Sequence, residues 1–81
     1  MNKDEYKKIQ RDILQFLFDK GRAATFGEIT TVTKKAESET QYHCDVLREQ
    51  GVIEPHSVPA GSSSVRGYII TVAGRKAIME Q

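Results

Sequence analysis

His43 and Cys44 are neighbours in the chain, and a histidine beside a cysteine is where metal binding or nucleophilic chemistry would first be sought. Adjacent positions of a helix point about 100° apart, so these two side chains diverge and cannot chelate one ion. His43 and His56 make a weak pair with no third ligand, and both read as surface or rim residues. Cys44 reads as a small buried apolar residue. The motifs Gly-x-x-x-x-Gly-Lys-Ser/Thr, His-Glu-x-x-His and Gly-x-Ser-x-Gly do not occur in the sequence. Ser62, Ser63 and Ser64 fall in a Gly/Ser-rich stretch and read as spacers. No metal, cofactor or catalysis is expected.

The bulk properties frame what else the chain can do. Its 81 residues are one domain's worth, 1–81, and a domain this small buries roughly 60% of its unfolded surface. Charged residues at 28% and hydrophobic ones at 38% fit a folded domain rather than a disordered tail. A single cysteine excludes an internal disulfide and suits a reducing cytosol. No apolar run approaches the ~20 residues of a membrane span, and Met1 to Glu5 lack a leader's apolar segment. A cytoplasmic protein without membrane contact is the expectation.

The elements follow from periodicity and caps. Asn2-x-x-Glu5 reads as a capping box ahead of Tyr6, Ile9, Ile13, Phe16 and Leu17 at helical spacing, with Leu14 and Phe18 widening the stripe and Gly21 closing the helix. Thr25-Phe26-Gly27-Glu28 is a second capping box. The run Ile29-Thr30-Thr31-Val32-Thr33 has strand propensity, but Ile29 and Val32 share a helical face, and a short helix is predicted. Ser38-x-x-Gln41 predicts the start of a third helix over 38–50, ended by Gly51, with Thr40, Cys44 and Leu47 inward. His43 and Val46 flank that stripe. Val52 to His56 reads as a short strand, placed at an edge by Pro55. Residues 57–66 read as a mobile hairpin tip, and Tyr68 to Thr71 as the returning strand. Thr71 is the expected N-cap of a last helix carrying Ala73, Ala77 and Ile78, in which Gly74 permits close approach to another backbone.

Two stretches, His43-Cys44-x-x-Leu47-x-x-x-Gly51-Val52-Ile53 and Gly67-Tyr68-x-Ile70-Thr71-x-x-Gly74-x-x-Ala77-Ile78, together resemble the small winged helix-turn-helix regulators of the MarR, ArsR and PadR type. The resemblance covers roughly residues 9–80. It implies an α+β, mainly α fold: a three-helix head, a β-hairpin wing and a short C-terminal helix. It further implies sequence-specific binding of double-stranded DNA, with helix 38–50 in the major groove and wing 57–66 on the flanking backbone. Gln41 and Tyr42 would then read base edges, with Thr40 and His43 assisting. Lys34 and Lys35 would lie near the backbone, and Arg66 would enter a minor groove or clamp a phosphate. Such regulators pair through their first and last helices, so a homodimer using Tyr6, Phe18, Ile78 or Met79 is the expected assembly. Cys44 departs from the leucine that many ArsR-like regulators carry after this histidine.

Charge opposes that expectation. Net charge is +1, but residues 37–54 carry Arg48 against Glu37, Glu39, Asp45, Glu49 and Glu54, a local charge of −4. Phosphates repel such a helix. The same architecture also serves as a protein-protein interaction module, and an acidic third helix with Tyr42 and Val46 exposed suits a basic or mixed protein partner.

Overall fold

Propensity and capping compete over residues 25–33, and the cap prevails. In the computed structural model, which describes residues 3–81, helix α2 spans Phe26–Thr33. Thr25 Oγ1 accepts from the Glu28 N–H at 3.0 Å, and Glu28 Oε1 accepts from the Thr25 N–H at 3.0 Å. Two of the free amides of the helix start are thereby satisfied. The threonines that would favour a strand bond back into the helix, Thr30 to the Phe26 carbonyl at 2.9 Å and Thr31 to that of Gly27 at 3.0 Å. Ile29 is fully buried.

Helix α1, Lys3–Lys20, buries Ile9, Ile13, Leu14 and Leu17. Each such residue stabilises the fold by about 1.5–3 kcal/mol. Gly21, at φ +70°, ends the helix by donating to the Leu17 carbonyl, as its position predicts. The capping box at Asn2 lies outside the described residues. Among the described residues, Glu5 accepts from Lys35 at 2.9 Å.

Helix α3 spans Glu37–Glu49, one residue earlier at each end than the sequence suggests. The Ser38 capping box is not formed. Ala36 occupies the N-cap without a side-chain bond, and its carbonyl accepts from the Thr40 N–H at 2.9 Å. The reason lies upstream. Lys34 adopts a left-handed conformation, φ +59°, and donates its N–H to Thr30, so the chain turns sharply enough to enter α3 at Glu37. Gly51, at φ +77°, closes α3 as expected, and the Val52 N–H returns to the Leu47 carbonyl.

A three-stranded antiparallel sheet has the order β1-β5-β2, with β1 at Ala24–Thr25, β2 at Ile53–Pro55 and β5 at Gly67–Ile70. Ala24 faces Tyr68, and Ile53 faces Ile70. Pro55 lies on an edge strand, where its missing N–H is tolerated. Strand β1 is too short for periodicity to reveal.

Between β2 and β5 the chain forms its own two-stranded ribbon, β3 at Val58–Ala60 and β4 at Ser63–Val65. Gly61, at φ +64°, is the first of the two turn residues, as a type II′ hairpin requires. The His56 N–H donates to the Gly67 carbonyl at 2.9 Å, joining the ribbon's base to the sheet.

Helix α4, Val72–Met79, is capped by Thr71 as predicted. The Thr71 hydroxyl accepts from the Gly74 N–H at 3.1 Å and donates to the Gly51 carbonyl at 2.6 Å. Gly74 sits against the Val52 carbonyl so closely that no Cβ fits there. The core joins α1, α2 and α3 to the inner face of the sheet through Ile13, Leu17, Ile29, Cys44, Leu47, Ile53 and Ile70. The expectation of an α+β, mainly helical domain is met.

Candidate functional site

Helix α3 is fixed to α2 by the buried hydroxyls of Thr33 and Thr40, 2.9 Å apart. Thr33 has one proton and donates it to the Thr30 carbonyl, so Thr40 is the donor between the pair. Thr40 has no exposed surface and meets no base edge. Its role is to set the register of the two helices.

His43 likewise lies inside, with no exposed surface. This corrects both the rim position and the base-reading role expected of it. Its ring packs edge-on against Tyr6, centroids 4.7 Å apart, and against Tyr42 at 5.3 Å. Nδ1 lies 3.0 Å from the Gln10 amide of α1. Nε2 has no hydrogen-bond partner among the described residues, the nearest carboxylate oxygen being that of Glu39 at 3.9 Å. Burial holds the ring below the usual histidine range, with the Glu39 charge opposing and that of Lys35 assisting. Position 43 completes the series 40, 43, 44, 47, which is the full spacing of a buried helical stripe. The polarity of histidine obscured that signal.

The outward side of α3 presents Ser38, Tyr42, Arg48 and Glu49, with Gln41 and Asp45 half-buried along its edge. Tyr42 is 51% exposed although its ring leans on Tyr6. Gln41 is committed. Its amide nitrogen donates to Asp45 Oδ1 at 2.9 Å and to the Tyr68 hydroxyl at 3.0 Å, tying α3 to β5.

The cations separate into two kinds. Lys35 pairs with Glu5 across the start of α1, which lowers the Glu5 carboxyl and raises the Lys35 amine, through their hydrogen bond first and their charges second. This pair neutralises one of the expected phosphate contacts. Lys34 is exposed and makes no ion pair among the described residues. Arg66, at the root of the ribbon, holds its guanidinium 3.9 Å from the Phe26 ring centroid and shields an otherwise buried aromatic face. The sequence offered no signal for this stacking, since Phe26 and Arg66 are far apart in the chain.

Cys44 is fully buried, as expected, and burial pushes its thiol up to about 11. Among the described residues no three His, Cys, Asp or Glu side chains gather as metal ligands. An open hollow of about 320 Å³ lies between Arg22–Ala23 and the chain from His56 to Pro59, beside the ribbon's base.

Of the four side chains expected at a dimer contact, Phe18 and Ile78 are half-buried against the chain's own core, and Tyr6 against Tyr42 and His43. Met79 remains 68% exposed, and Val72, at the other end of α4, is 73% exposed. No helix among the described residues is long and apolar enough to cross a membrane. Comparison of the chain with family models, with curated proteins and with solved structures finds no match in any of the three.

Proposed function

We propose that this chain is a winged helix-turn-helix that binds double-stranded DNA as a small cytoplasmic transcriptional regulator. In this reading α3 enters the major groove and the β3–β4 ribbon is the wing on the flanking backbone. The observation that carries it is the Gln41–Tyr68 hydrogen bond, 3.0 Å long. It couples the outward edge of α3 to β5, the strand that the ribbon leads into, which supports a reading in which helix and ribbon act together. The ribbon adds no buried residue to the core, and a free two-stranded hairpin is marginal in water, so contact with a partner gives it a purpose. Lys34 and Arg66 meet phosphates, Tyr42 and Ser38 meet base edges or sugar, and Arg48 offsets part of the acidic charge.

With few cations on the proposed surface, the affinity of one copy is low. Neutralising two or three phosphates gives a salt slope of only about −2 to −3. A homodimer engaging two half-sites raises it, and Val72 and Met79 are the apolar groups available for that contact.

The test is titration of fluorescent random duplex DNA at low and then moderate salt. Binding that weakens with salt and disappears in Lys34→Ala/Arg66→Ala supports the reading. Absence of binding at low salt, where charge is least screened, sinks it. A protein-interaction module is the second reading, favoured by the acids Glu37, Glu39, Asp45 and Glu49 around exposed Tyr42. That surface suits a basic protein segment.

A further inference from the structure

We infer that Asp45 is a specificity-determining residue and that the duplex this protein selects carries a cytosine opposite it. The inference rests on the duplex-binding reading above. It starts from the amide of Gln41, whose nitrogen donates to both Asp45 Oδ1 and the Tyr68 hydroxyl. A side-chain amide has two N–H groups, and both are engaged. Bidentate recognition of adenine requires one of them for N7, so Gln41 reads adenine only by giving up its tie to the sheet. Tyr68 is itself buried, 6% exposed, and anchored in β5, so the tie is rigid.

Gln41 therefore positions its neighbour. With Oδ1 held, Asp45 keeps Oδ2 without a hydrogen bond among the described residues, half-exposed on the outward edge of α3. A carboxylate only accepts. In the major groove guanine shows two acceptors, thymine an acceptor and a methyl group, and adenine an acceptor beside its donor. Cytosine shows the N4 amino group alone. A fixed carboxylate is attracted to that edge and repelled by the acceptors of the others. One of the acids that weaken general affinity thus discriminates between bases.

Selection from random duplexes, with wild-type protein and Asp45→Asn compared on the selected site and on random duplex, tests this. The variant keeps an oxygen for Gln41, so the clamp survives. Wild type is expected to retain duplexes with one invariant C·G pair, and to lose roughly tenfold in affinity when that pair becomes T·A. The Asp45→Asn change removes a negative charge, so binding to random duplex strengthens, while the preference for C·G over T·A collapses about tenfold. If affinity for both duplexes rises together and the preference persists, Asp45 merely repels phosphate and the inference is overturned. If wild type retains no duplex at all, the duplex-binding reading falls with it.

Discussion

Thr33 and Thr40 share a buried hydrogen bond in which Thr40 donates and Thr33 accepts, while Thr33 also accepts from the Lys35 N–H at 3.2 Å. The two hydroxyls are therefore unequal. Thr40→Val removes one donor and is expected to cost about 1 kcal/mol. Thr33→Val strands the Thr40 hydroxyl and the Lys35 amide together, and the expected loss is about 2–3 kcal/mol. Urea denaturation of both single variants and the double variant reads the difference. Equal losses would show that the hydroxyl network is not what holds α2 on α3.

Lys34 is the one non-glycine residue with positive φ among the described residues. A left-handed lysine costs about 1 kcal/mol relative to glycine. Lys34→Gly is expected to raise stability by about that amount in chemical denaturation, whereas Lys34→Ala brings no gain. If Lys34 meets a phosphate as proposed, both variants are expected to flatten the salt slope of duplex binding by about 0.9. Stability and binding thus move in opposite directions in a single variant.

His43 makes stability depend on pH. Its folded value lies below the ordinary 6.5, so the unfolded chain takes up the proton first. The contribution is complete above pH 6.5 and is lost as pH falls from there through the lowered folded value. Glu5 and Glu28, both held below 4.5 chiefly by Lys35 and Lys20, produce a separate loss at more acidic pH. Thermal unfolding should show a falling midpoint below pH 6.5 that is absent in His43→Gln, with the acidic loss retained in both. A flat wild-type profile between pH 6.5 and 5 would contradict the buried neutral ring.

Gly74 packs α4 on the Val52 carbonyl. An alanine in its place gains helix propensity, worth about 1 kcal/mol at an open position. Here the added methyl drives into backbone, and Gly74→Ala is expected to destabilise by a net of about 2–3 kcal/mol. Arg75→Ala on the exposed side of the same helix should change stability by less than about 0.5 kcal/mol. A stable Gly74→Ala would mean that α4 is not seated as described.

Local signals on the sequence determined much of this protein. The stripe of α1, the Thr25–Glu28 box, the glycines at 21 and 51 and the Thr71 cap each act over a few residues, and each is formed. Their outcome depends on backbone geometry within one turn, which residue type and spacing control. The type II′ hairpin was also written locally, at Gly61-Ser62, beneath a composition that reads as loose loop. Only tertiary structure decided how α3 is rotated about its axis. Spacing permits a stripe of 40, 44 and 47 with or without 43, and the edge-on contact with Tyr6 and the Gln10 amide from α1 draw His43 inside. The same packing gave Gln41 to Tyr68 and Lys35 to Glu5, partners 27 and 30 residues distant. A side chain's commitment to a distant partner is a property of the assembled surface, because no local rule knows which elements will meet.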